Sequence, residues 1–405
     1  MTRSKFRFGS MLLSLAVLAS PASAGTLSTQ AYFDGTDGAV PNNGGLLYSD
    51  HFFYGATYAG SAPPNLVAGP ADLGVIFQQA DTILEVPDTP PSVVYAFSGP
   101  DGAHPNGSLV ADAQGNLYGT TRAGGSAGLG TVFKLTNPRR GSGLWPLTTL
   151  HAFAGPDGSA PVAGVTLGPD GSIYGTTLQG GTAPLQAGTV FKIAPDGSYR
   201  VLHSFTGVFE TGDGSGPASN IVLDPQGTVI GTTSVPVAVN QKGTLYAILP
   251  NGNFVVVTQF TEIPSGGPAG AIVRDLSGNV FGALTSAEAG PRVFEVTAIT
   301  HKQVVIGELP GDVGYGGVMR DNAGNFYLTT SGEDRRSGGG VYQMTPHGVV
   351  TQLATLGYMN QGPLGGVTLD PAGNLWGTSS AGGETCTTSA NVTVTGCGTV
   401  FVVTP

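Results

Sequence analysis

Along the chain, short apolar runs alternate with turns rich in Gly, Pro, Asp and Asn. The runs favour Val, Ile, Thr, Tyr and Phe, which is the pattern of strands between tight turns. Beyond the first 24 residues no stretch holds a helical period. One phrase organises the pattern. GNLYGTT at 115–121 returns as GSIYGTT at 171–177, 56 positions later. Decayed copies put Tyr54, Tyr118, Tyr174, Ile230, Phe281, Tyr327 and Trp376 at the Tyr position, seven copies with a mean spacing of about 54 residues.

Other phrases keep step with it. An apolar run ending in a turn precedes most copies, as in GVTLGPDG at 164–171 and GVTLDPAG at 366–373. A Gly-rich loop follows, then a run such as GTVFKL at 130–135 or GTVFKI at 188–193. A further turn leads to a fourth run, LHAF at 150–153 or LHSF at 202–205. In the turns Gly supplies positive φ, and Asp or Asn bonds its own backbone. Repeating four-stranded units of this length are the blades of a propeller. The predicted fold is therefore all-β, a single seven-bladed β-propeller over 25–405. Within the phrase, the aromatic is expected to pack against the next blade. The Gly is expected where another backbone comes close, and the Thr pair on a half-buried pleat. The seventh unit lacks a fourth strand, and a lone strand opens the fold at 26–33. The N-terminal strand is therefore expected to complete the last blade.

Residues 1–24 read as a secretory signal peptide, with Arg3, Lys5 and Arg7, the apolar run MLLSLAVL and a small-residue site ending at Ala24. No other stretch reaches the length of a membrane helix. The mature chain is expected in the periplasm or medium, as a monomer. The full sequence carries a net charge of −10, and the leader holds three of its positive charges. So acidic a chain, without a basic cluster, is not a nucleic-acid binder. Cys386 and Cys397 are the only cysteines. In an oxidising compartment they are expected to form one disulfide, pinning a local loop.

The combination of F-x-G-x-DG, YGTT, GG and GTVFK resembles the GloVer tandem-repeat family, the exported bacterial "choice-of-anchor" proteins. The resemblance covers nearly all of the chain after the leader and is strongest at 94–208. It implies a secreted or cell-surface propeller and no activity common to the family. Many members end in a sorting segment. This sequence stops at GTVFVVTP, so release is expected rather than surface anchoring.

Candidate chemistry lies in the loops that enter the inner strands. Asp37, Asp101, Asp157 and Asp213 each open a DG-x-x-P-like loop. They read as a cation site or polar rim for a sugar, or as four caps of four Asp-Gly turns. Wide spacing around the ring speaks against one shared metal, and no metal or cofactor motif occurs. His104, with Asn106 beside it, lies in one entry loop, and Tyr315 in another. They could serve as base and acid in a lyase-type proton abstraction. His151 and His203 hold equivalent outer-strand places and read as structural. Arg274 and Arg320 are expected to pair with Asp275 and Asp321 or with carbonyls rather than to bind substrate. The resulting expectation is an exported binding or interaction propeller for a glycan, another extracellular polymer or a surface protein. A polysaccharide lyase or hydrolase at the channel mouth, or a structural envelope protein, are the alternatives.

Overall fold

The structure is a computed structural model that describes residues 25–42, 44–60, 72–83, 90–138, 145–207, 212–234, 243–260, 267–285, 290–313, 316–331, 339–357, 365–383, 385–387 and 393–404. The signal-peptide segment and Tyr315 lie outside these residues. All regular elements among the described residues are strands, and no helix is long and apolar enough to cross a membrane.

Seven antiparallel sheets follow one another in chain order, with one small hairpin, Thr385–Thr387 against Thr393–Thr395, beside the last. Blade 2 shows the plan. Its inner strand Ala103–Ala111 pairs with Leu117–Ala123, then Thr131–Leu135, then the outer strand Leu147–Ala152. Every YGTT-like copy forms the second strand of its blade. Ring closure follows the expectation. Strand Thr26–Tyr32 pairs antiparallel with Thr399–Thr404 and is the outermost strand of blade 7.

The apolar runs are buried because each blade is covered on both faces by its neighbours. At the Tyr position, Tyr118 packs with Val165 and Ile173 of the next blade, as predicted. Its hydroxyl donates to Asp112 Oδ2 at 2.9 Å. This burial and bonding push the phenol up to about 12.

The Gly after it has a different cause from the one predicted. Gly119 pairs across strands with Phe133, and a Cβ there would lie 2.7 Å from the tip of the Phe133 ring. The same register sets Gly175 under Phe191 and Gly377 under Phe401. The glycine makes room for a ring, not for a backbone. The Thr pair also departs from prediction, since both residues are fully buried. Thr120 Oγ1 donates to the carbonyl of Asn106 or of Ala163 in the next blade, and Thr121 Oγ1 shares a hydrogen bond of 2.8 Å with Thr131 Oγ1. With these bonds made, a buried hydroxyl carries no desolvation penalty.

In five of the seven blades a Phe directly after the outer strand locks blade to blade; blades 5 and 6 have the buried Leu309 and Leu356 there. Phe33, Phe97, Phe153, Phe205 and Phe260 are all buried. Each meets an aromatic on the third strand of the following blade at centroid distances of 4.9–5.5 Å, in tilted edge-to-face geometry. Phe33 belongs to the N-terminal segment, so its lock joins blade 7 to blade 1. Removing residues 25–33 takes away both a strand ladder and one of these locks. The truncated chain is expected to melt more than 10 °C below the full one by circular dichroism. Equal melting temperatures would contradict the closure.

Candidate functional site

The inner strands converge on the axis through small residues. Where consecutive inner strands meet, Gly44 lies against Gly107, Gly107 against Gly164, Gly317 against Ala271, and Gly316 against Gly366. A side chain at Gly44, Gly107, Gly164, Gly316 or Gly317 would overlap the neighbouring main chain. Blade 4 has Ser219 and Asn220 instead. Asn220 Oδ1 accepts the N–H of Ile272 at 2.9 Å, so a side-chain amide replaces the close backbone contact there. This ring of small residues was missed in the sequence. Its signal is a pair such as GG, GS, AG or GA just past the start of most inner strands.

Mainly on blades 2–5, with Gly44 of blade 1 and Gly316 of blade 6 at its edges, the ring opens into a cavity of about 1050 Å³. Its walls include Val110, Leu167, Val222 and Leu223, with Arg122, Asp224 and Arg274 as the charged members. Of the site residues expected from sequence, Asn106 lines it. The other described ones lie elsewhere.

The four entry-loop aspartates sit between the outer parts of consecutive blades. Asp101 accepts the N–H of Ser98 at 2.9 Å and the hydroxyl of Tyr95. Asp157 accepts the N–H of Ala154 at 2.8 Å and faces His151 Nε2 at 2.8 Å. Asp213 accepts the N–H of Thr206 at 2.9 Å and faces His203 Nε2 at 3.3 Å. His151 and His203 in turn stack on Tyr199 and Phe254 of the next blade, both at 3.7 Å. Among the described residues no cluster of three metal-ligating side chains occurs.

Asp37 breaks the series. Its Oδ1 accepts the N–H of Asp34 at 2.8 Å, but its buried Oδ2 has no partner. The reason is local. Tyr95, His151 and His203 each stand two residues before the locking Phe, and Ala31 stands there before Phe33. Burial first, then the charge of Asp34, raises the Asp37 carboxyl to about 8.

His104 lies outside the cavity lining. Its ring stacks on Tyr58 at 4.5 Å, and Nδ1 lies 2.9 Å from the Tyr58 carbonyl. Its φ of 55° is left-handed, as are those of Val40 and Ala160 at equivalent places before proline. Each of these residues donates its N–H to the preceding blade, His104 to Leu73 at 2.7 Å. The strain is thus a feature of the repeat and not particular to His104. The Cys386 side chain is outside the described residues, and so is the expected disulfide. Cys397 is fully buried in the blade 7 core.

The expected Arg–Asp pairs do not form. Asp275 and Asp321 accept instead from Asn279 and Asn325. Arg320 lies over the Phe281 ring of the preceding blade at 5.0 Å.

The profile of the Gloeobacter/Verrucomicrobia repeat matches residues 17–235 and 140–316. The chain belongs to this repeat family. No match was found among curated proteins. Among solved structures, the Gloeobacter/Verrucomicrobia repeat protein resembles puromycin hydrolase at 12% identity and a TM-score of 0.56, over 88% of this chain and 53% of that one. It also resembles a putative gluconolactonase at 15% identity and TM-score 0.46, over 95% and 93%. TolB from Acinetobacter baumannii matches at 13% identity and TM-score 0.41, over 72% and 62%. At such identities the likeness concerns the fold alone.

Asp37 carries a pH test. Its folded pKa is raised above the ordinary carboxylate value, so the stabilisation from its bound proton is full below about pH 4 and lost as pH rises toward 8. Asp37→Asn is expected to melt a few degrees above wild type at pH 8, with the difference vanishing near pH 4. A difference that does not change with pH would contradict the assignment.

Proposed function

We propose that this chain is an exported binding propeller that holds an extracellular ligand on its axis. The cavity carries the reading. Four consecutive blades, with Gly44 of blade 1 and Gly316 of blade 6 at the edges, wall about 1050 Å³, in the size range of ligand sites, between rigid strands. Export rests on the leader at 1–24. A lyase that used His104 at this cavity would need the ring in its wall, and His104 stacks on Tyr58 outside the lining. Binding without turnover therefore fits the geometry better. Among the described residues lining the cavity there is no aromatic ring on which a sugar could stack. A glycan, the ligand class expected from sequence, is accordingly one arm of the test.

The mature chain would be screened by calorimetry against extracellular oligosaccharides and small amphiphiles, with reducing ends assayed in parallel. Saturable binding without new reducing ends is expected. Ala111→Trp, which fills the cavity from its wall, should abolish it. Reducing ends that vanish in His104→Ala would establish the enzyme instead. Binding untouched by Ala111→Trp would place the site elsewhere.

A further inference from the structure

We infer that the axial cavity takes a ligand with an anionic head and a slender apolar body, and that Arg274 holds the head. This rests on reading the cavity as a binding site.

Most polar groups of the lining are already committed. Ser108 Oγ accepts the N–H of Gly45 at 3.0 Å. Thr166 Oγ1 donates to the Ile221 carbonyl at 2.6 Å, Ser234 Oγ to Gly216 at 3.0 Å, and Thr285 Oγ1 to Gly267 at 3.2 Å. Asn106 Oδ1 accepts the N–H of Gly107, and Asn220 spans to Ile272. These groups hold loops and neighbouring blades in place. What they leave for a ligand is mostly alkyl wall, the Asn106 amide N–H groups, the Ser108 hydroxyl proton and three charges.

Those charges are not alike. Asp224 Oδ1 anchors its own turn through the N–H groups of Gln226 and Thr228, at 2.9 and 2.7 Å. The Arg122 and Arg274 side chains make no hydrogen bond or ion pair with a described residue. Arg122 is exposed near the end of the second strand of blade 2, where water screens it. Arg274 is half-buried and ends the inner strand Pro268–Arg274 of blade 5. Its Nη2 lies 3.0 Å from where a Gly278 side chain would begin, so it crosses a turn that has no side chain in the way. Asp275, next in the chain, is bonded to the backbone and side chain of Asn279 at 2.8 and 3.2 Å.

A partly desolvated guanidinium with open donors favours a carboxylate or phosphate, held through two parallel bonds. The alkyl wall selects the body. A polyhydroxylated chain would lose water from its hydroxyls there and gain few partners, whereas an aliphatic one gains from burial.

Calorimetry with octanoate, octyl phosphate and neutral 1-octanol tests this. The better of the two anions should bind at least tenfold more tightly than octanol. Arg274→Gln should erase that advantage and leave octanol binding unchanged, and Arg274→Lys should keep part of it. Arg122→Gln should change each affinity less than twofold. Octanol binding as tightly as both anions, or an advantage that survives Arg274→Gln, would overturn the inference. If oligosaccharides bind in the cavity while every octyl probe fails, the anionic-ligand inference falls and the binding propeller stands. If nothing binds, both fall.

Discussion

Around the axis main chain meets main chain, and the rest of the structure depends on that approach. Seven sheets can share one axis only if their inner strands come within backbone contact, which removes the space a Cβ would take. At Gly44, Gly107, Gly164, Gly316 and Gly317 that space is absent. Threonine hydroxyls then fasten one blade to the next, Thr176 to the Ser219 carbonyl and Thr329 to that of Gly365. Blade 4 departs from the rule with Asn220, and the opening of the ring into a cavity spans mainly blades 2–5. The cavity is where the closest packing gives way to side chains.

Farther out, the spacing between blades is set by rings. A Phe at the end of an outer strand fits edge-on to an aromatic of the following blade, and that aromatic fits over a glycine in its own blade. The DG loop after the Phe is tied back by its Asp to the outer strand it has just left. In blades 1–3 that tie uses Tyr95, His151 and His203. At the closure of the ring Ala31 offers nothing, and Asp37 keeps a buried oxygen unpaired. Of these four ties, the one that lacks a partner falls where the two ends of the chain meet.

Most of the fold was legible because it is written seven times. The YGTT phrase, the turns and the missing fourth strand fixed blade number and closure. The reasons behind single residues were less legible. That Gly119 yields to a ring, and not to a backbone, depends on cross-strand register with Phe133, which a repeat alone does not specify. The pairing of His151 with Asp157 joins two recognised residues whose contact was not foreseen, since it depends on how the loop turns back. The cavity was least visible. It arises from positions that differ among repeats, such as Asn220 and Arg274, whereas the reading followed positions that agree.

The central claim is that the axial glycines are required by close backbone approach, whether or not turn geometry also calls for glycine, as the left-handed φ of Gly107 and Gly317 does. Gly164 and Gly357 separate the two. Neither takes a left-handed φ, but a side chain at Gly164 would strike the Ser108 main chain, and one at Gly357 would meet open space. Urea unfolding of Gly164→Ala and Gly357→Ala is the most direct measurement. The account predicts a loss of about 1–3 kcal/mol for Gly164→Ala, from overpacking. It predicts no loss, or a gain of a few tenths of a kcal/mol, for Gly357→Ala. Equal stabilities for the two variants would contradict it.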